Sequence, residues 1–258
     1  MTFLAVALVL IVVVVAGLVI YWLVFLTEGV YLGERVVVWL YDLYAGRYDG
    51  IKQWNEEEEI DYLARPFAAE LGELRRPPLI LDVAAGTGRL TRAVQAADLL
   101  PDARWVLLDA SGKMLAQAAQ HLGKSPKLHY IRHSAQSLPF DDATFDVVTC
   151  FEALEFMPDP AAALAELVRV LRPGGLLVTT NRIGPIARLM PGRTWTHATV
   201  YQLHRDLGQR HIRIRPFLVD YEWVGSAKAG SFRPPGRADD PTLIAYLESL
   251  ADLDYNEG

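Results

Sequence analysis

Two acidic residues and two glycines have the types and spacing to do chemistry here: Asp82, Gly86 and Gly88 in Leu81-Asp-Val-Ala-Ala-Gly-Thr-Gly88, and Asp109 further along. Glycines at 86 and 88 let the backbone approach a ligand closely and adopt torsions that a side chain forbids. A helix following the turn offers free N–H groups to the same ligand. Asp82 is out of place for a phosphate site, because a carboxylate repels a pyrophosphate; it suits a cationic, amine-bearing ligand instead. The full G-x-G-x-x-G fingerprint is also missing, since Thr91 stands where the third glycine would fall. Asp109 closes the next apolar run, placed to accept hydrogen bonds from both hydroxyls of a ribose. Asp82 and the missing third glycine point away from a pyrophosphate dinucleotide and towards S-adenosylmethionine, whereas Asp109 fits a nucleotide site of either kind.

Such a site needs a sheet to hold it, and the chain alternates strand and helix signals from Pro78 to about Ala229. Short apolar runs predict strands at Leu79–Val83, Trp105–Leu108, Leu128–Ile131, Phe145–Cys150 and Leu176–Thr180. Helices are expected over Arg89–Ala97 and over Ala161–Leu171, the latter stopped by Pro173-Gly174-Gly175. This alternation predicts an α/β, Rossmann-like fold: a mostly parallel seven-stranded sheet with helices on both faces. Ile212–Val219 and Tyr221–Ala227 are separated only by Asp220, which permits an antiparallel C-terminal hairpin but no helical crossover. Open sheets of this kind bind ligands at the carboxyl ends of their parallel strands.

Four segments resemble the class I S-adenosylmethionine-dependent methyltransferases, and most closely the ubiquinone/menaquinone-biosynthesis branch. They are Ile80-Leu-Asp-Val-Ala-Ala-Gly-Thr-Gly-Arg-Leu90, Leu108-Asp-Ala-Ser-Gly-Lys-Met-Leu115, Ser137-Leu-Pro-Phe-Asp-Asp-Ala-Thr-Phe-Asp146 and Leu167-Val-Arg-Val-Leu-Arg-Pro-Gly-Gly-Leu176. A shorter upstream match, Tyr41-Asp-Leu-Tyr-Ala-Gly-Arg-Tyr-Asp49, looks like the family's lid helix. The resemblance implies that Asp82 and the turn from Ala84 through Gly86 to Gly88 hold the methionine portion. It further implies that Asp109 holds the ribose, with Ala110 and Met114 beside the adenine. Ser134, next to Ala135, stands where relatives usually place an aspartate that accepts from the adenine amino group. A serine accepts without the assistance of charge.

The stretch Cys150-Phe-Glu-Ala-Leu-Glu-Phe-Met-Pro-Asp159 resembles a family segment that often reads Glu-x-x-Glu-His, with Phe156 in place of the histidine. Metal dependence is therefore not expected. Glu152 and Glu155 either face the acceptor site or satisfy free N–H groups at a helix start. A base is needed only if the acceptor must lose a proton, and the candidates are Tyr48, Glu155, His197 and His204.

Phe3 to Leu26 holds no charged residue and is long enough to cross a bilayer core as one helix, which needs about 20 residues. A signal peptide would have a shorter apolar core behind a basic start; a buried core helix would show a polar face. The expected organisation is a transmembrane anchor over 1–27, juxtamembrane and lid helices over 28–77, the cofactor-binding domain over 78–229 and a tail over 230–258. The tail contains a linker at Arg233–Arg237 and a short helix from Pro241 to Leu250.

The chain has 258 residues and a net charge of -6, which argues against general nucleic-acid binding. Its single cysteine, Cys150, allows no internal disulfide. His129 and His133 fall in a strand and its exit, where a four-residue spacing does not make a metal pair. Between Arg182 and Arg215 seven arginines face one acid, Asp206. A basic stretch beside an anchor is drawn to anionic headgroups.

The function expected is methylation of a lipid-soluble small molecule, a quinone or isoprenoid precursor or a polar lipid, by a single-pass membrane protein. Its N-terminus lies outside and its catalytic domain in the cytoplasm, where the cofactor is found; Arg35, Arg47 and Lys52 follow the span, and no Lys or Arg precedes it. The alternatives are a methyltransferase acting on a membrane protein and a non-catalytic membrane adaptor that keeps the fold.

Overall fold

The computed structural model describes residues 2–72, 77–230 and 244–249. The apolar N-terminal run forms helix α1 (Thr2–Tyr21), continued by a π-helical turn over Trp22–Leu26. The candidate span Phe3–Leu26 covers 24 residues and is apolar on every side, with none of its length buried in the protein. At 1.5 Å per residue it reaches about 36 Å.

After a tight turn at Gly29 and Gly33 come α2 (Glu34–Tyr44), the short α3 (Tyr48–Ile51) and α4 (Glu56–Glu59), which runs through a π turn into α5 (Arg65–Leu71). Asn55 caps α4 by accepting from the Glu57 and Glu58 N–H groups, at 3.1 and 3.5 Å. The acidic run after it therefore lies where the helix dipole favours carboxylates.

The sheet contains β1 (Leu79–Val83), β2 (Arg104–Asp109), β3 (Leu128–Arg132), β4 (Phe145–Cys150), β5 (Leu171–Arg182), β6 (Gln209–Phe217) and β7 (Tyr221–Lys228), in the order β3-β2-β1-β4-β5-β7-β6. Strands β1 to β5 are parallel, and β7 lies antiparallel between β5 and β6. Helices α6 (Arg89–Ala96), α7 (Gly112–Leu122), α8 (Pro160–Val170), α9 (Gly184–Arg188) and α10 (His197–Asp206) complete the chain order.

Every residue of β1 is buried, as expected of a central strand covered on both faces. Its side chains alternate between two cores. Leu79, Leu81 and Val83 join Val106, Leu108 and Leu164 on one face, while Ile80 joins Trp105, Leu107 and Phe67 on the other.

Two expected boundaries move. Helix α8 ends at Val170 rather than being stopped by Pro173-Gly174-Gly175. Leu171 is already extended and pairs with Phe145, so Pro-Gly-Gly sits within the strand, opposite a register shift between Phe145 and Val147. Gly175 is required there, because a Cβ would fall 2.8 Å from the Asp146 carbonyl oxygen and 2.9 Å from that of Arg172. The hairpin is present, but β6 begins and ends earlier than expected, which leaves Leu218, Val219 and Asp220 as its tip. Of the tail, only a helical turn at 244–249 belongs to the described residues, with Leu247 in the core; Arg233–Arg237 lies outside them.

Candidate functional site

The glycine turn leaves β1 in left-handed torsions, with φ of +55° at Ala84, +56° at Gly86 and +79° at Gly88. A non-glycine residue in that region is strained, and such strain gathers at functional sites. Gly88 is required by packing too, since a Cβ there would meet Leu122 Cδ1 at 2.8 Å. The turn is tied to the next strand end. The Gly86 N–H donates to Asp109 Oδ2 at 2.9 Å, and the Ser111 N–H donates to Asp109 Oδ1 at 2.8 Å.

Asp82 points away from the solvent and accepts from the Thr149 hydroxyl at 2.7 Å. Burial lifts its carboxyl to about 7, helped by the charge of Asp109 and opposed by the Thr149 bond. Burial likewise lifts Asp109 to about 6, against the Ser111 and Gly86 N–H bonds that favour its charge. Two acids held close to neutrality in this way are poised to receive a cation.

A cavity of about 120 Å³ lies over this turn, bordered by Ala84, Gly86, Asp109, Ala110, Ala135 and Glu34 among others. Of the residues expected to bind cofactor, Ala84, Gly86, Asp109, Ala110 and Ala135 line it directly. Asp82, Gly88, Met114 and Ser134 do not line it: Asp82, Gly88 and Met114 are buried, and Ser134, beside the lining residues His133 and Ala135, is half-buried.

The roof comes from the segment before the sheet, latched by carboxylates. Ser111 donates to Asp42 at 2.5 Å, Thr87 donates to Asp49 at 2.7 Å, Arg92 donates to Asp49 at 2.5 Å, and Arg89 donates to Glu59 at 2.8 Å. A fourth carboxylate was not legible in the sequence. The Ser134 hydroxyl donates to Glu34 Oε1 at 2.5 Å, so α2 brings a charged acceptor to the position where the serine alone offers none. No motif could have flagged it, because the two residues meet only through the tertiary fold.

A second, larger cavity of about 530 Å³ adjoins the first and shares Tyr41, Tyr48, Glu152 and Phe156 with it. Its remaining wall includes Val24 and Phe25 from the end of the apolar span, Lys52, Arg182, and the hairpin residues Leu218 to Tyr221. Glu152 has a φ of +51° and is ion-paired with Lys52, at 3.0 Å, and with Arg89. Burial opposes its ionisation, but the two cations win and hold it below the usual carboxylate range. Glu155 is buried and accepts from the Tyr221 hydroxyl at 2.6 Å, with Arg182 Nη1 at 3.4 Å; burial pushes its carboxyl up. Neither glutamate serves merely as a helix-start acceptor. Arg182 Nε is buried and finds no acceptor among the described residues.

Of the four candidate bases, Tyr48 lines both cavities, and burial pushes its hydroxyl up to about 12. Glu155 stands behind Tyr221. His197 is exposed and bonded to Glu222 at 3.0 Å, whereas His204 is buried against Ser226 at 3.0 Å and lowered by burial to about 4. Neither histidine lines either cavity. Among the described residues no cluster of three potential metal ligands occurs.

The matching family model, a methyltransferase domain, covers residues 81–179, from the glycine turn to the fifth strand. Residues 81–179 thus match a methyltransferase domain. S-adenosylmethionine is the cofactor of this domain class, and a buried acid pair at a glycine turn fits its cationic methionine end.

A demethylmenaquinone methyltransferase of Symbiobacterium thermophilum is 34% identical over 160 residues, covering 61% of this chain and 63% of that protein. A ubiquinone/menaquinone biosynthesis C-methyltransferase of Pseudomonas savastanoi pv. phaseolicola is 36% identical over 132 residues, covering 50% of this chain and 51% of the relative. The chain thus spans between about half and two thirds of the length of these curated relatives. Among solved structures, a SAM-dependent methyltransferase from Aquifex aeolicus superposes with a TM-score of 0.54 at 18% identity, over 69% of this chain and 97% of that one. The [4+2]-cyclase SpnF gives 0.53 at 21%, over 64% and 80%. These likenesses establish the fold, and the cyclase shows that the methyltransferase fold also hosts other chemistry.

Proposed function

We propose that this chain is a membrane-anchored S-adenosylmethionine-dependent methyltransferase acting on a lipid-soluble small molecule of the quinol type. The observation that carries the reading is the pair of adjoining cavities. One ends on Asp109, the other is walled partly by Val24 and Phe25 of the apolar span, and Tyr41, Tyr48, Glu152 and Phe156 stand at their junction. The names of the relatives, which act in menaquinone and ubiquinone synthesis, support a lipophilic acceptor.

In this reading Asp82 and the Ala84–Gly88 turn hold the methionine end and Asp109 the ribose. Ala110, Met114 and Ala135 flank the adenine, and Glu34 through Ser134 accepts from its amino group. The bound cofactor supplies an activated methyl group on a sulfonium. The protein aligns the acceptor with it and excludes water. Lys52 and Arg182 bring positive charge to the acceptor cavity, where each stabilises a phenolate oxygen over the neutral phenol. Tyr48, held protonated by burial, donates a hydrogen bond rather than removing a proton. A walled cavity suits a small molecule better than an extended peptide, so methylation of a membrane protein is the weaker reading.

Val24 and Phe25 are at once part of the candidate span and part of the cavity, which supports a membrane anchor rather than a removed leader. The domain then lies on the cytoplasmic side, where S-adenosylmethionine is available, with the N-terminus outside. Calorimetric titration of S-adenosylmethionine into the full chain in lipid nanodiscs tests the cofactor assignment. Binding that Asp109→Ala abolishes is expected; equal binding by both would contradict it.

A further inference from the structure

The cavity next to the cofactor site is finished by two chain segments that are far apart in sequence and both apolar. Phe25 belongs to the last turn of the candidate span and is 62% exposed; Leu218 and Val219 form the β6–β7 tip and are 47% and 91% exposed. Leucine at 218 also holds a φ of +52°, a strained torsion that glycine would adopt freely, while about half of the residue stays exposed.

The end of the span does not dangle from the domain. Trp22 Nε1 donates to the Leu189 carbonyl oxygen at 2.9 Å, and its ring stacks on Tyr31 with centroids 4.9 Å apart. Tyr31 in turn donates to the Pro191 carbonyl oxygen at 2.8 Å, and Arg193 lies over its ring. Trp22, Tyr21, Phe25 and Tyr31 form a set of aromatic side chains where the span meets the domain, the level at which such rings settle at a bilayer surface. With the last turn fixed against the domain, the 189 loop and the hairpin tip are fixed relative to that surface as well.

We propose that the β6–β7 tip inserts Leu218 and Val219 into the acyl edge of the leaflet that receives the end of α1. The cavity between tip and anchor is then the side door by which a lipid-soluble acceptor passes from the bilayer to the methyl donor without crossing water. The inference rests on the membrane-anchored reading above and adds a second point of insertion and a route. The occupant of the exposed apolar surface is lipid, because the surface is continuous with the span and shares its cavity wall. Arg182 and Tyr221 are more buried in the same cavity, which Lys52 also lines. An amphiphile entering ring-first meets them while its tail stays among Phe25, Leu218 and Val219.

Site-directed labelling tests this without requiring turnover. The sole cysteine, Cys150, is buried, and its thiol is pushed well up by burial, so an introduced cysteine takes the label. Nitroxides at Val219→Cys, at Val12→Cys in the span and at the exposed Gln95→Cys near the C-terminal end of α6 are compared in the full chain. The protein is reconstituted in phosphatidylcholine–phosphatidylglycerol vesicles. Labels at 12 and 219 are expected to collide freely with oxygen and poorly with a water-soluble relaxant, and the label at 95 the reverse. A label at 219 as wet as that at 95, with 12 still in lipid, overturns the insertion while the anchor stands. A wet label at 12 overturns the anchor and the insertion together.

The route has its own test. Val219→Asp, a change at a fully displayed side chain, is expected to slow methylation of a long-tailed hydroquinone dissolved in the vesicles severalfold more than that of a tail-less, water-soluble hydroquinone. Equal slowing of both would overturn the side door.

Discussion

Asp82 and Asp109 are weak acids in this structure because burial disfavours their charge, lifting them to about 7 and about 6. The free folded protein therefore binds more protons than the unfolded chain between the ordinary carboxylate range and these values. Its stability falls as pH rises through that window. A cationic ligand reverses the preference by stabilising the ionised pair, so S-adenosylmethionine affinity is expected to rise from pH 5.5 to pH 8. Binding near pH 6.5 should release protons. Calorimetry in two buffers of different ionisation enthalpy measures this, and identical heats in both would contradict the acid-pair account.

Glu34 carries the second prediction at this scale. Glu34→Gln leaves the bond from Ser134 possible but removes its charge, which is expected to weaken S-adenosylmethionine binding about tenfold, or about 1.4 kcal/mol. Adding Ser134→Asp to that variant should recover most of the loss. Gly88→Ala is expected to destabilise the domain by about 2 kcal/mol, since it combines a left-handed torsion with a 2.8 Å contact to Leu122. Thermal melting checks it. Gly86→Ala meets no atom within 4 Å, so it should cost cofactor affinity more than fold stability.

Among the elements, the segment from α2 to α5 acts as a roof held down by four carboxylates, Glu34, Asp42, Asp49 and Glu59. Asp49 holds both Thr87 in the glycine turn and Arg92 one turn into α6. Asp49→Asn is expected to open the roof, shown by faster amide exchange over residues 34–51 and weaker cofactor binding, with the sheet still protected. Unchanged exchange would make Asp49 a surface group only.

The sheet was legible because each parallel strand is a short apolar run closed by a turn residue, and the hairpin because one residue cannot hold a crossover. Pro173-Gly174-Gly175 misled because the same residues that stop a helix also make an irregular strand, and only pairing with β4 decides between them. The roof's latches were illegible for a different reason: each joins residues at least 30 apart, and a carboxylate on a helix surface looks the same in sequence whether it meets water or Ser134. His197 and His204 were candidates because their segment was expected to border the acceptor pocket, but the fold places both in contacts away from the two cavities. The arginines from 182 to 215 likewise divide. Arg182 lines the larger cavity, Arg193 caps the carbonyls of Met157 and Pro158, Arg213 pairs with Glu70 and Arg215 lies over Trp223.

At the scale of the whole molecule, the candidate span, the roof and the sheet converge on one junction, where Tyr41, Tyr48, Glu152 and Phe156 are shared by a smaller cavity that ends on Asp109 and a larger one walled partly by Val24 and Phe25. A catalytic domain tethered to the bilayer gains effective concentration towards acceptors dissolved there, and in the proposed arrangement the candidate span also contributes Val24 and Phe25 to the cavity wall. The most direct measurement of that arrangement is transfer of a labelled methyl group from S-adenosylmethionine into the lipid phase. The full chain is reconstituted in vesicles containing a polyprenyl hydroquinone that lacks the ring methyl, beside Asp109→Ala. Label appearing on the hydroquinone with the intact chain and not with the variant is the predicted result. A folded chain that binds S-adenosylmethionine but leaves the lipid phase unlabelled would contradict the proposed acceptor class.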